Sequence, residues 1–166
     1  MNFTLKDYFY KLYNRSMLMM LLPIAEFLGI YYLILSGVLL PIVYDEILII
    51  ILLILLPIVV LSMLTIVQLE VNKRLKKISE EQSLGRKLDL YFPLAKRKIN
   101  SLVGVSFLLG VGFFFTTDER FSIYFGGIIL WCAWQWPSPR KVARDLKLKG
   151  DEREMVISRG DSFPGY

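Results

Sequence analysis

Three stretches of this chain contain no charged residue for about 20 positions each. Ile47 to Leu69 gives 23 uncharged residues, positions 99–117 give 19, and positions 121–139 give another 19. A helix rising ~1.5 Å per residue needs roughly 20 apolar residues to cross a ~30 Å hydrocarbon layer. Charges are crowded into the short segments between these runs. That distribution predicts an all-α polytopic membrane protein.

A fourth run precedes them. Arg15 and Asp45 are separated by 29 residues, interrupted only by Glu26. A helix of that length would reach about 43 Å, more than a bilayer core requires. Two arrangements fit. In one, the helix begins near Met17 and Glu26 lies inside the membrane. In the other, Phe27–Tyr44 spans, Glu26 sits at the interface, and Phe3–Met20 lie along the headgroups. The acid and the missing small-x-small cleavage site argue for a retained anchor over a cleaved leader.

Basic residues orient the chain. Segments 1–25, 70–98 and 140–166 hold 3, 9 and 7 Lys and Arg, so 19 of the 20; the remaining one is Arg120. The positive-inside rule puts these three segments in the cytoplasm. Four transmembrane helices are therefore expected as two antiparallel hairpins, N-in/C-in, in a plasma (inner) membrane. The spans are about 17–44, 47–69, 99–117 and 121–136, with a cytoplasmic basic loop at 70–98. Residues 1–136 form the membrane domain and 137–166 a cytoplasmic tail. The short outer links, Tyr44-Asp45-Glu46 and Thr117–Arg120, force antiparallel neighbours. Trp131, Trp134 and Trp136 cluster at the inner end of the last span, as belt residues do.

The loop is expected to be partly helical, with Val71, Leu75, Ile78 and Gln82 on one face. Gly85 is a plausible stop, and Pro93 breaks the segment. The tail predicts a short amphipathic helix at Arg140–Lys149, capped at Gly150, followed by a frayed last dozen residues.

The absence of His and the single cysteine, Cys132, rule out the usual zinc, haem and iron–sulfur ligand sets within one chain. They also rule out a Ser-His-Asp or Cys-His nucleophile. No cofactor is expected, and the reading leans against catalysis. The net charge of +5 flanks apolar spans, so it points to topology and anionic lipid instead of nucleic acid.

Glu26 is the first candidate site residue. A carboxylate inside a span costs about 2.5–3.5 kcal/mol or more and usually faces the bundle interior or water. Gly29 and Gly37 fall near its face and predict a small-residue packing groove. The functional alternative is an ion, proton or headgroup site; the plainer one is an interfacial acid paired with a base. Gln68, Asn100 and Gln135 lie near the inner helix ends and could line a polar pocket with Glu26. Lys73, Arg74, Lys76 and Lys77, with Lys96, Arg97 and Lys98, are candidates for anionic headgroups or a partner. Ser106-x-x-x-Gly110 supports close crossing of spans three and four. Arg159-Gly160-Asp161 resembles an adhesion tripeptide but falls on the cytoplasmic side.

Three functions remain open. The first is a small non-catalytic membrane subunit or scaffold, binding a protein partner or anionic lipid through the basic loop and tail. The second is an oligomeric channel or transporter subunit using Glu26. The third is an inner-leaflet lipid-modifying enzyme, which would need acids, Asn and Arg at one depth.

Overall fold

The computed structural model describes residues 4–158, and every regular element among them is helical. The elements are α1 (Leu5–Leu35), α2 (Glu46–Ser79), α3 (Leu84–Thr116), α4 (Arg120–Trp134), α5 (Pro139–Asp145) and α6 (Gly150–Ile157). Three of them, α1, α2 and α3, are long and apolar enough to cross a membrane; α4 is a shorter apolar helix of 15 residues. The tripeptide Arg159-Gly160-Asp161 lies outside the described residues.

Local chemistry sets the ends. Thr4 caps α1 by accepting from the Asp7 backbone N–H at 3.2 Å. Asp45 caps α2 by accepting from the N–H groups of Ile47 and Leu48, the common use of a short polar side chain at an N-cap. The α1 helix stops at Leu35, well short of Tyr44. Gly37 follows with φ +70°, and Val38 N–H donates to Leu33 O. This is a glycine-terminated C-cap with Pro41 shortly beyond, a combination that ends helices. The segment after it folds back, and Ile42 and Val43 N–H both donate to Phe115 O.

The expected loop at 70–98 is almost entirely helix. It divides between the end of α2 and the start of α3, joined by the four-residue turn 80–83. Gly85 lies in the first turn of α3 instead of ending a helix, and α3 continues through Pro93. The two longest helices, α2 at 34 residues and α3 at 33, therefore reach about 50 Å each. Their uncharged sections use only part of that length.

Contacts give the direction of each helix. Along α1, Tyr8 reaches Leu88 and Glu26 meets Gly110, so α1 and α3 point the same way. Leu56 lies over Gly112, and Glu70 pairs with Arg97, so α2 runs opposite to α3. Phe121 lies at Gly112 and Gln135 at Lys98, so α4 also opposes α3. The hub is α3, against which α1, α2 and α4 all pack. Although the sequence links α1 and α2, they pack mainly on α3 and little on each other.

Three apolar clusters follow this axis. The first, toward the Asp45 and Asp118 end, joins Phe27, Leu53, Val105, Phe113, Phe121 and Phe125; the Phe27 ring stacks on Phe113 at 4.8 Å and on Phe125 at 4.1 Å. The second joins Met20, Ile99, Leu102, Val103 and Cys132. The third lies at the opposite, basic end. It joins Tyr8, Phe9 and Leu12 of α1 to Val71 and Ile78 of α2, Leu88 and Tyr91 of α3, and Val142, Leu146 and Val156 of the tail. The tail is thus anchored through Val156, fully buried in α6. The helix expected to reach Lys149 ends at Asp145, with Lys147 at φ 52° after it, and Gly150 opens α6 instead of capping α5.

Candidate functional site

Glu26 lies about midway along the uncharged part of α1, between Arg15 and Ser36. Its side chain turns inward onto α3. A Cβ built at Gly110 would sit 2.9 Å from Glu26 Cδ and Oε1, so the glycine makes room for the carboxyl group. Glu26 Oε2 is buried and has no hydrogen-bond partner among the described residues. Ser106, one turn before Gly110, is fully buried, and its hydroxyl donates back to Leu102 O at 2.8 Å. Ser106-x-x-x-Gly110 therefore faces α1 at Glu26. Gly29 lies on the exposed side of α1 and Gly37 lies exposed just past its end, with nothing within 4 Å of an added Cβ at either.

The other polar candidates are not gathered around Glu26. Asn100 is exposed and precedes Gly110 by ten residues, about 15 Å along a helix. Gln68 donates to Asn72 Oδ1 at 2.9 Å. It lines an apolar cleft of about 530 Å³ between α2 and α4, with Thr65, Leu109, Tyr124 and Trp131. Gln135 stands just past α4, where its Oε1 accepts from Lys98 Nζ at 2.6 Å and from Lys141 Nζ at 2.7 Å.

The basic candidates split into two groups at the same end. Lys73, Arg74, Lys76 and Lys77 are exposed on α2. Arg74 and Arg97 both pair with Glu70, at 2.9 and 2.7 Å, so one carboxylate ties α2 to α3. Lys96 borders a small gap lined also by Leu12, Arg15 and Asn100. Lys98 belongs with the second group, Gln135 and the α5 cations. The sequence reasoning missed that group because Pro137-Ser138-Pro139 turns the chain sharply. Ser138 caps α5 by accepting from Lys141 N–H at 3.3 Å, and that turn brings Lys141 back to Gln135. Burial holds the Lys141 ammonium below its ordinary pKa, a shift that Asp145 opposes and Arg144 reinforces.

A half-buried ion pair was also hidden in the sequence. Lys87 Nζ, nearly enclosed, lies 2.9 Å from Glu152 Oε2 and pins α6 to α3. Tyr91 O–H donates to Asp145 Oδ2 at 3.2 Å, and Tyr8 O–H to Leu88 O at 3.0 Å. These contacts fasten α5, α6 and the start of α1 to α3. Among the described residues, no three Cys, Asp or Glu side chains converge on a point that could hold a metal ion. Comparison with family models, with curated proteins and with solved structures finds no match to this chain.

Proposed function

We propose that the chain is a four-span protein of the inner membrane with both ends in the cytoplasm, acting as a non-catalytic subunit or scaffold. Its cytoplasmic module would engage anionic headgroups and a protein partner. The observation that carries this reading is the apolar cluster at the basic end, which knits α1, α2, α3, α5 and α6 into one body. Long helices that leave the apolar section and build a shared core make a rigid platform. Its outer faces carry Lys73, Lys76 and Lys77, none of them in an ion pair among the described residues.

Antiparallel α4 supports the fourth span. It lies beside α3 from Gly112 to Lys98, so it traverses most of the same depth despite its 15 residues. Trp134 and Trp136 at its end suit an interfacial belt, and a short span is accommodated by anchoring or local thinning. The distribution of Lys and Arg supports the orientation.

The test is purification of the full chain from membranes in mild detergent, with its mass and co-purifying proteins measured. A mass above the 19.3 kDa protomer, with a stoichiometric partner that is lost when Lys73, Arg74, Lys76 and Lys77 become Gln, is expected. A bare protomer indifferent to that change refutes the reading.

The second reading is an oligomeric channel or transporter subunit. It is favoured by one observation, the buried Glu26 Oε2 with no hydrogen-bond partner among the described residues. Against it, the carboxyl group packs on this chain's own Gly110.

A further inference from the structure

At the end of α4 the chain forms a cleft of about 530 Å³, bordered by Trp134, Trp136, Arg140, Lys141 and Arg144. All of its charged lining is positive. Arg140 and Arg144 are exposed and one helical turn apart, so they share a face. Behind them, Lys98 and Lys141 converge on a single neutral acceptor, Gln135 Oε1. Lys141 also donates to Trp134 O at 3.1 Å. The nearest acid in sequence, Asp145, accepts from Tyr91. Among the described residues none of these four cations is in an ion pair, whereas Arg74, Arg86, Lys87, Arg97 and Arg120 all are.

We propose that this cleft is a binding site for a phosphate-bearing anion, held by Arg140, Lys141 and Arg144 beside Trp134. Guanidinium groups suit phosphate because their planar forks donate two hydrogen bonds at once. An anion there would also offset the positive charges of Arg140, Lys141 and Arg144 that line the cleft. The source of the phosphate is a phospholipid headgroup, an identification that rests on the orientation proposed above. Trp134 is 79% exposed and marks the level at which α4 leaves the apolar section, where amphipathic rings rest among headgroups.

The experiment uses the full chain in nanodiscs and in detergent. Retention of phosphatidylglycerol against phosphatidylcholine is measured by native mass spectrometry. Binding of inorganic phosphate to the same protein is measured by calorimetry. Arg140→Gln with Arg144→Gln is expected to weaken phosphatidylglycerol retention by about thirtyfold, the effect of removing two surface cations. Arg140→Lys with Arg144→Lys should keep most of it, and both arginines are exposed enough to be replaced without unfolding. Phosphatidylglycerol retention that millimolar phosphate leaves intact identifies the lipid source. Saturable phosphate binding lost in the Gln variant identifies a soluble one, and supports the site. Unchanged retention in the Gln variant, with no phosphate binding by the parent chain, overturns the proposal. If the Lys73, Arg74, Lys76 and Lys77 substitutions alone abolish retention, this site falls while the scaffold reading stands.

Discussion

The carboxyl group of Glu26 fills the space that a side chain at Gly110 would need, with only 2.9 Å between Glu26 Cδ and a Cβ built there. Gly110→Ala should therefore displace Glu26, at about 1–3 kcal/mol for an overpacked site. Shortening the acid should remove most of that cost. In a double-mutant cycle, Glu26→Ala with Gly110→Ala should be more stable than the two separate losses predict. Additivity in thermal unfolding would mean that the two do not touch. Gly112→Ala should be worse than Gly110→Ala. Its Cβ would meet Leu56 Cδ1 and the fully buried Phe121 ring, each at 2.7 Å, and a packed ring yields less than the tip of a flexible acid.

Lys87 and Glu152 supply the second prediction. Glu152→Gln should leave a nearly enclosed ammonium with a neutral partner, destabilising the α6 contact by about 1–3 kcal/mol. Hydrogen exchange over 150–157 should accelerate, while the α1–α3 section stays protected. Adding Lys87→Met should restore part of the protection, since the orphaned charge is then gone. Unchanged exchange in Glu152→Gln would show that Val156 alone holds α6.

Lys141 supplies a pH dependence. Burial, opposed by Asp145 and reinforced by Arg144, lowers its pKa below the ordinary 10.5. The unfolded chain then binds more protons than the folded one between the lowered value and 10.5, so stability rises with pH across that window. The contribution is complete above 10.5 and lost as pH falls through the lowered value. Equilibrium unfolding of the reconstituted protein should show this alkaline rise, and Lys141→Gln should flatten it. An identical profile in the variant would discard the assignment.

Orientation is open to a chemical test. In a Cys132→Ser background, cysteines at Glu46 or Glu119 should react with an impermeant thiol reagent in intact cells. Cysteines at Gln82 or Ser158 should not. Labelling of Gln82 from outside would sink the proposed topology. The background is needed, although Cys132 itself is buried and in contact with Met20 sulfur at 3.3 Å.

The long helices were legible because uncharged runs of 19–23 residues have few other uses. Their ends were less so. The stop of α1 was written in Gly37 and Pro41, but apolar content at Val38–Val43 concealed it. Pro93 misled in the other direction, because tertiary packing of Tyr91, Leu94 and Ala95 into the basic-end cluster outweighs a lost backbone bond. Glu26 was legible as a lone acid within an apolar run, yet its neighbour was not. Gly29 and Gly37 are close to it along the helical wheel, whereas Gly110 is 84 positions away in sequence. The meeting of Lys98, Gln135 and Lys141 likewise depends on a proline-rich turn whose exit angle no periodicity encodes.

The cluster at the basic end places residues from both extremes of the described chain in one core, Tyr8 and Phe9 with Val142 and Val156. During synthesis the earliest of these are made long before the latest. Until the segment 142–156 emerges, the nascent protein carries an unfinished apolar face on α1, α2 and α3. Chains truncated before Val142 should therefore leave Tyr8, Val71 and Leu88 uncovered and be cleaved faster by added protease than the chain that retains 142–156.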